Sequence, residues 1–251
     1  MWAEGVENRQ QGMNFVNSLI VDAVRSSGAK QLLDIGCGVG GSMLYIAEKT
    51  SARIEGITIS QKQAEAGRRF IASTGSEGRC KLIAGDFTAP ETAEQLSPPF
   101  DIAYAIESFL HMPEADLFFE QAARLIRPGG DLYICDDFLA PPGGVSGSKN
   151  RDRLIRLFKL GWQVHSLCVP SDLQQSAGKH GFLPARERET DLTPYLELNR
   201  PRDVFIRILV KLFWWVPPRW PFWQNLLGGD SLQRLLLGGD LRYLLFHFKK
   251  V

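Results

Sequence analysis

Residues 31–41, QLLDIGCGVGG, join a short apolar run to a glycine-rich turn. The run from Gln31 to Ile35 has the length and composition of a buried β-strand, and Gly41–Lys49 after the turn has the spacing of apolar residues expected of a helix. Glycines allow unusual backbone angles and let a ligand approach the main chain, and the first N–H groups of the helix have no partner within it. The stretch therefore predicts a ligand-binding turn between a strand and a helix.

Further strand and helix patterns alternate through the first half of the chain. The predicted strands are Arg53–Thr58, Cys80–Ala84, Asp101–Ile106 and Asp131–Cys135. The predicted helices are Gln61–Ser73 and Ala115–Ile126, and RPGG at 127–130 is a strong stop signal after the second. Elements that alternate at this spacing predict an α/β fold, a doubly wound parallel sheet with helices on both faces.

The second half has a different pattern. It contains two predicted helices, at Asn150–Gln163 and from Ser171 to about Gly178, and two strand candidates, at Phe182–Glu189 and Leu241–Phe248. Between the strand candidates, Val204–Val216 is mostly apolar and is followed by two prolines.

Composition excludes several classes of protein. The chain has 251 residues, 44% hydrophobic and 23% charged, which is typical of a globular protein and argues against wholesale disorder. Its four cysteines include no CxxC pair, and no cluster of His, Cys and Asp has convincing metal spacing, so neither a zinc ribbon nor a required metal is predicted. Without a leader-like segment or a run of about 18 apolar residues, the sequence favours a soluble, cytoplasmic protein.

The net charge of +1 conceals an asymmetry. Residues 1–140 carry 12 basic and 19 acidic side chains, whereas residues 141–251 carry 17 basic and 9 acidic ones. The basic half favours an anionic ligand or an anionic membrane surface, and a solvated basic surface is the alternative. No nucleic-acid partner is expected.

The glycine turn is compatible with two kinds of cofactor. Gly36, Gly38 and Gly41 satisfy GxGxxG, so a nicotinamide-dependent oxidoreductase is one interpretation. Asp34 inside the motif would repel a pyrophosphate but suits a cationic ligand such as an ammonium group. Thr58 stands where an acid would bind the ribose of a dinucleotide, and a P-loop is excluded because no Gly-Lys pair follows the turn.

The acid followed by GxGxG at 34–40 resembles the first motif of class I S-adenosylmethionine-dependent methyltransferases. Residues 56–63, GITISQKQ, are similar to the end of the second strand in the subgroup of small-molecule, sterol and tocopherol methyltransferases. The resemblance implies a seven-stranded, mostly parallel sheet with an antiparallel last strand, and S-adenosylmethionine as cofactor. The cofactor-binding residues it implies are Asp34, Gly36, Cys37, Gly38, Gly40, Thr58, Ile59, Gln63, Asp86, Phe87 and Ile106.

The resemblance also implies roles for some of these residues. Thr58 and Gln63 would hold the ribose or the amino-acid end, and Ile59 would pack on the adenine. Asp86 would accept from the exocyclic amine, and Phe87 would supply a neighbouring amide. Each has a structural alternative: a strand residue for Thr58, a solvated helix position for Gln63, a turn or helix cap for Asp86 and plain core for Phe87.

The resemblance also implies a single domain over residues 1–251. Its core would comprise about 14–137, 171–190 and 241–251, and cap insertions would comprise about 138–170 and 191–240.

Residues 105–113, AIESFLHMP, follow the fourth predicted strand, at the sheet edge where ligands bind in open α/β folds. The segment closely resembles the pattern that lines the substrate end of the cofactor cleft in the same subgroup. Glu107 and His111 are therefore the candidate catalytic residues: His111 could deprotonate a hydroxyl, and Glu107 could stabilise a carbocation formed at an alkene. A capping role for His111 and a contact with the cofactor loop for Glu107 are the alternatives.

Four of the six tryptophans, Trp214, Trp215, Trp220 and Trp223, fall within ten residues. The region could be a lid over an apolar substrate, a membrane-interface segment, or a helix that completes the core or a dimer interface. Candidate substrate-contacting residues are Trp162, Tyr195, Trp214 and Trp215.

The sequence thus favours a methyltransferase for a small, largely apolar acceptor, such as a terpenoid or lipid-like molecule. Carbon methylation is slightly favoured over oxygen methylation, and the basic half allows a phosphorylated acceptor. A homo-oligomer and peripheral contact with a membrane stay open. The alternatives are the nicotinamide-dependent oxidoreductase and a non-catalytic protein that binds a membrane surface or a partner.

Overall fold

The computed structural model describes residues 11–12, 14–141, 148–213, 215–216 and 220–251. Its strands are β1 Gln31–Ile35, β2 Arg53–Thr58, β3 Cys80–Ala84, β4 Phe100–Ile106, β5 Ile126–Leu139, β6 Phe182–Asp191 and β7 Leu241–Lys250. They form a seven-stranded sheet in the order β3-β2-β1-β4-β5-β7-β6, with β7 antiparallel to both of its neighbours. The predicted α/β fold with a mostly parallel sheet is confirmed.

Besides short 3₁₀ helices at Phe109–His111 and Thr193–Tyr195, nine α-helices accompany the sheet within the described residues. They are α1 Phe15–Ser27, α2 Gly41–Lys49, α3 Gln61–Ser73, α4 Pro90–Ala93, α5 Ala115–Leu125, α6 Ser148–Trp162, α7 Pro170–Lys179, α8 Pro201–Leu212 and α9 Pro221–Leu237. Three of them, α1, α4 and α9, have no counterpart among the predicted helices. None of the described helices is both long enough and apolar enough to cross a bilayer.

The order of the strands reverses at β1. This strand pairs in parallel with β2 on one side and with β4 on the other, so the connections from β1 and β4 leave the sheet in opposite directions. Ligands bind at such switch points, in the crevice outside the carboxyl ends of the strands. The turn predicted from residues 36–41 lies at this crevice.

Separate apolar cores cover the two faces of the sheet. Leu33 and Ile35 of β1 belong to one core, which contains a group of packed phenylalanines including Phe109, Phe118 and Phe119. Leu32 belongs to the other core, which is covered by α1, α2 and α3. Because both faces are covered, the consecutive residues Leu32 and Leu33 of β1 are both apolar and buried, instead of alternating with polar residues.

The fifth strand, β5, begins earlier than predicted. It starts at Ile126 instead of Asp131, and it includes the Pro128-Gly129-Gly130 segment. The pairing with β4 shifts register between Phe100 and Ile102, and such an irregularity can accommodate a proline, which has no N–H to donate. The preceding helix accordingly ends at Leu125, one residue before the predicted end.

The helical cap over the carboxyl edge is built on a close crossing of α6 and α9. A Cβ at Gly161 would lie 2.4 Å from the Gln224 carbonyl oxygen, and one at Gly228 would lie 2.5 Å from the Trp162 ring. These glycines let the helices approach and place Trp162 at the edge of the crevice. A small apolar cluster that includes Leu154, Phe158 and Leu235 completes the contact.

Candidate active site

The glycine turn after β1 is packed against the loop that follows β4. Gly36, Gly38 and Gly40 have φ of +84°, +55° and +82°, in the left-handed region that favours glycine. A Cβ at Gly36 would lie 2.2 Å from the Cβ of Ser108, whose hydroxyl donates to the Ile35 carbonyl oxygen. The turn and the β4 loop are thus held in close contact, and a side chain at Gly36 would separate them.

A cavity of about 800 Å³ opens beside this turn. Small-molecule sites typically measure about 300–1,000 Å³, so the cavity has room for a nucleoside-sized ligand. Of the predicted residues, it brings together Gly36, Gly38, Thr58, Ile59, Gln63, Asp86, Phe87, Ile106, Glu107, His111 and Trp162. We call it the cofactor cavity.

Thr58 and Gln63 form one polar unit at the end of β2. The Thr58 hydroxyl donates to Gln63 Oε1 at 2.9 Å, and Ser60 caps α3 by accepting from the Gln63 N–H at 3.3 Å. Within the described structure the side-chain amide nitrogen of Gln63 makes no hydrogen bond, so it is available as a donor. Ile59 between them is 79% exposed and presents an apolar surface at the mouth of the cavity.

Asp86 and Phe87 follow β3, which pairs with β2, and also line the cavity. Asp86 Oδ1 accepts from both the N–H and the hydroxyl of Thr88 at 2.8 Å, which leaves Oδ2 without a hydrogen bond in the part of the chain described. The Phe87 ring is buried against Phe118, with ring centroids 5.5 Å apart. A ligand contact by Phe87 would therefore come from its main-chain N–H.

Asp34 in β1 and the turn residues Cys37 and Gly40 do not line the cofactor cavity. Asp34 is only 3% exposed, and its Oδ2 has no hydrogen-bond partner among the residues described. Burial raises the pKa of the Asp34 carboxyl to about 7, an effect that the Tyr104 hydroxyl opposes. Burial and the charge of Asp34 together raise the pKa of the Cys37 thiol. The structure thus places Asp34 differently from the sequence expectation, because its carboxyl group is not exposed in the cavity.

Glu107 lies on the cavity wall in an uncommon backbone conformation. Its φ is +53°, and such strain in a residue with a side chain is often found at functional sites. Its Oε1 accepts a hydrogen bond from the Tyr243 hydroxyl at 3.0 Å. Tyr243 comes from β7, so the last strand of the sheet positions this carboxylate.

His111 is exposed on the same wall. Its Nδ1 lies 3.3 Å from the carbonyl oxygen of Gln163, and because a carbonyl can only accept, this contact assigns the ring proton to Nδ1. Nε2 is then left as the acceptor. The Gln163 backbone, with φ of +52°, follows the end of α6 and thereby couples His111 to the cap.

A second cavity, of about 460 Å³, meets the first at Glu107, His111 and Trp162. Carboxyl groups predominate among its ionisable wall residues, which are Glu107, His111, Asp136, Asp137, Glu197, Arg200, Asp203 and Tyr243. We call it the acid-walled chamber.

Two adjacent carboxyl groups of β5, those of Asp136 and Asp137, form a buried part of this wall. Asp136 accepts from the Leu110 and Asp137 N–H groups, and burial raises its pKa to about 7. Burial and the neighbouring Asp136 raise the pKa of Asp137 well above its ordinary value, and Asp137 Oδ1 has no hydrogen-bond partner in the described structure. These residues were missed in the sequence, although a pair of acids directly after an apolar strand could have indicated them.

A third cavity, of about 650 Å³, lies between α8 and α9 and shares His111 and Trp162 with the other two. Two of the other predicted substrate contacts, Tyr195 and Trp215, lie elsewhere. Tyr195 lines none of the three cavities and packs against Phe15, with ring centroids 6.0 Å apart. Trp215 is exposed and also outside them, and Trp214 lies outside the described residues.

The cofactor cavity fits S-adenosylmethionine. A free amide donor at Gln63 suits ribose oxygens, a free carboxylate oxygen at Asp86 suits an exocyclic amine, and an orphaned carboxyl atom at Asp34 suits a nearby cation. Among the described residues, no group of three or more His, Cys, Asp or Glu side chains is arranged to hold a metal ion.

Comparison with known proteins identifies the family. A family model described as a methyltransferase domain matches residues 32–130. A sterol 4-C-methyltransferase of Caenorhabditis elegans is 29% identical over 180 residues, which cover 72% of this chain and 52% of that protein. An O-methyltransferase of Aspergillus nomiae is 32% identical over 163 residues, which cover 65% of this chain and 68% of that one. The chain spans about half the length of the sterol methyltransferase.

Solved structures show the same fold. A candidate sarcosine dimethylglycine methyltransferase from Galdieria sulphuraria superposes with a TM-score of 0.76 at 17% identity, covering 100% of this chain and 91% of that one. Geranyl diphosphate C-methyltransferase from Streptomyces coelicolor, in complex with S-adenosyl-L-homocysteine, superposes with a TM-score of 0.68 at 16% identity. The match covers 99% of this chain and 82% of that one. Together with the motifs that line the crevice, these matches establish that the chain belongs to the class I S-adenosylmethionine-dependent methyltransferases.

Proposed function

We propose that the protein transfers the methyl group of S-adenosylmethionine to a small, largely apolar acceptor bound in the acid-walled chamber. The observation that carries this proposal is the meeting of the two cavities at Glu107, His111 and Trp162. A donor in one cavity and an acceptor in the other would face each other there.

Different residues of the cofactor cavity would bind different parts of the cofactor. Thr58 and Gln63 would hold the ribose, Ile59 would pack on the adenine, and Asp86 would accept from the exocyclic amine. Asp34 would attract the cationic part through its charge and without contact. When bound, the cofactor supplies a methyl group that its sulfonium already activates, so the protein's main task is to align the acceptor about 3–3.5 Å away and exclude water.

The same wall could support methylation at either oxygen or carbon. For a hydroxyl acceptor, Nε2 of His111 would take the proton that the oxygen loses as its bond to the methyl carbon forms. For an alkene acceptor, a cation would develop on the acceptor as the new carbon–carbon bond forms, and Glu107 would stabilise it. A proton lost from the adjacent carbon, which His111 or Glu107 could accept, would then restore the double bond.

We favour carbon methylation because carboxyl groups line the chamber. Glu107 is held by Tyr243 at the junction, and the wall behind it carries the carboxyl groups of Asp136 and Asp137. Such a wall suits a group that is neutral or becomes cationic and disfavours a phosphate at that end. The sterol and geranyl diphosphate carbon methyltransferases among the similar proteins support this choice, and the similar O-methyltransferase keeps oxygen methylation as the second candidate.

The proposal is tested first by ligand binding and then by product analysis. S-adenosylhomocysteine should raise the melting temperature whereas NAD should not, which separates this function from that of a nicotinamide-dependent oxidoreductase. The protein is then incubated with methyl-labelled S-adenosylmethionine and fractionated terpenoid and lipid extracts, and labelled products are identified by mass spectrometry and NMR. Label on carbon supports the proposal in full, and label on oxygen supports the second candidate. Tight binding of NAD without binding of S-adenosylhomocysteine would overturn both.

A further inference from the structure

Exposed apolar side chains lie close together in the chain near the third cavity, which one of them, Phe222, lines. These residues come from α8, from the segment after α8, and from the start of α9. They are Phe205, Ile208, Leu212, Trp215, Trp220 and Phe222, with exposed fractions of 60%, 52%, 63%, 66%, 73% and 75%. We call this group the aromatic surface. Large apolar side chains exposed together in this way usually mark a site of interaction.

α8 exposes one apolar face to solvent, unlike an ordinary surface helix. Phe205, Ile208 and Leu212 follow the i, i+3, i+7 spacing of one helical face, and that face is exposed. The side that faces the protein carries the partly buried Ile206 and Val210 together with Arg207, which pairs with the buried Asp230 of α9 at 3.3 Å. No residue of α8 is buried, so packing on the protein does not account for its apolar face.

Basic residues lie on both sides of the exposed apolar stripe. At about 100° per residue, Arg202 and Lys211 project from opposite borders of the stripe. Both are exposed, and neither makes an ion pair within the described structure. Residues 200–222 contain five basic side chains and one acid, Asp203, which caps α8 together with Arg200. An apolar stripe with tryptophans and flanking cations is the pattern of a helix that lies in a membrane interface.

The segment that carries the tryptophans is fixed to the protein. The Trp223 indole N–H donates to the Val216 carbonyl oxygen at 3.2 Å, and Phe213 packs edge-on against Trp223, with ring centroids 6.5 Å apart. Trp223 itself is 9% exposed, whereas Trp215 and Trp220 remain at the surface. The exposed rings are thus presented by a packed support.

We propose that the aromatic surface docks the protein on an anionic lipid bilayer. Arg202 and Lys211 would meet lipid headgroups while the apolar side chains enter the interface. A second copy of the chain is a poorer occupant, because a two-fold contact would place these same cations against each other. Phe222 and Arg202 also line the third cavity, so docking would bring that cavity, and through it His111, to the membrane. This inference does not depend on methyl transfer.

The test is flotation of the full-length protein with vesicles of phosphatidylcholine alone or mixed with phosphatidylglycerol. Binding should be stronger to the anionic vesicles and weaker at high salt. The double variant F205S/W220S should reduce binding at least tenfold to both kinds of vesicle. The double variant R202Q/K211Q should reduce binding to anionic vesicles by about 25-fold, since each cation near such a surface contributes about fivefold. Leu183→Ser, which removes a 52% exposed side chain at the sheet edge, is the matched control and should bind normally.

Circular dichroism and binding of S-adenosylhomocysteine show that each variant is folded. Weak binding of the wild-type protein to anionic vesicles would overturn the proposal, as would equal binding of F205S/W220S and Leu183→Ser. A stable dimer that F205S/W220S converts to a monomer, without vesicle binding by either form, would assign the surface to a second copy instead. Because flotation uses no acceptor, failure here leaves the proposed activity untouched, and failure of methyl transfer leaves docking untouched.

Discussion

Replacement of Asp34 by asparagine should change the free energy of unfolding in a pH-dependent way. Relative to the wild type, the variant should gain stability as the pH rises from acidic to alkaline values. The Asp34 carboxyl is buried and its pKa is raised to about 7, so the folded state binds this proton more tightly than the unfolded chain does. Stability from this extra proton affinity is fully present below pH 3.8 and is lost as the pH rises to about 7. Asparagine carries no charge at any of these pH values, so the variant does not lose stability in this way as the pH rises.

The expected size follows from the two pKa values. The full interval from 3.8 to about 7 corresponds to about 4 kcal/mol, at about 1.4 kcal/mol for each pKa unit. About 3 kcal/mol of this lies between pH 5 and pH 8.5, where the measurement is practical. Asparagine also places an amide N–H₂ where Oδ2 has no partner, at a cost of about 1–3 kcal/mol that does not change with pH.

Urea unfolding at pH 5, 6, 7 and 8.5 measures the effect as the difference in unfolding free energy between Asp34→Asn and the wild type. The difference removes contributions from other carboxyl groups, such as Asp136, that both proteins share. Between pH 5 and pH 8.5, this difference in unfolding free energy should change by about 3 kcal/mol in favour of the variant. The corresponding change in the urea midpoint is about 1 M. Asp22→Asn, an exposed change on α1, is the control and should show a flat difference. A flat difference for Asp34→Asn as well would refute the buried position of this carboxyl.

Three further changes test the wall of the site. His111→Ala should lower turnover at least tenfold while calorimetry shows unchanged affinity for S-adenosylhomocysteine, and near-normal turnover would remove His111 from the mechanism. Tyr243→Phe frees the Glu107 carboxylate and should lower kcat about tenfold, with equal kcat counting against this positioning role. Gly36→Ala should cost about 2–4 kcal/mol in urea unfolding, because its Cβ meets Ser108, and S108G should restore part of that loss.

Local sequence signals were sufficient for the elements that surround the cofactor cavity. The glycine turn, the Thr58–Gln63 unit and the Asp86 turn each depend on residues close together in the chain, and the structure brings all three to the same edge. Parallel strands place their carboxyl ends together, so correct prediction of the strands also places the residues that follow them.

The orientation of Asp34 could not be inferred in the same way. In a strand with one covered face, alternation shows which side chains point inward, but β1 is covered on both faces and gives no such signal. The acid-walled chamber depends on long-range pairing instead. Asp137 lies opposite Tyr243 in the antiparallel register of β5 and β7, more than a hundred residues apart, and no spacing in the sequence records that register.

The aromatic region shows why composition left three interpretations open for residues 204–226. Charged residues on a helix are normally taken to mark its solvent side, and by that rule Arg207 would point outward. Asp230 is buried on α9 and pairs with Arg207 of α8 as well as with Arg234 of its own helix, so Arg207 lies toward the protein while Phe205 and Ile208 are exposed. The partner that holds Arg207 on this side is 23 residues away in the sequence. A core helix and a helix with an exposed apolar face can thus share the same periodicity, and a buried carboxylate on a neighbouring helix helps to set which face is exposed.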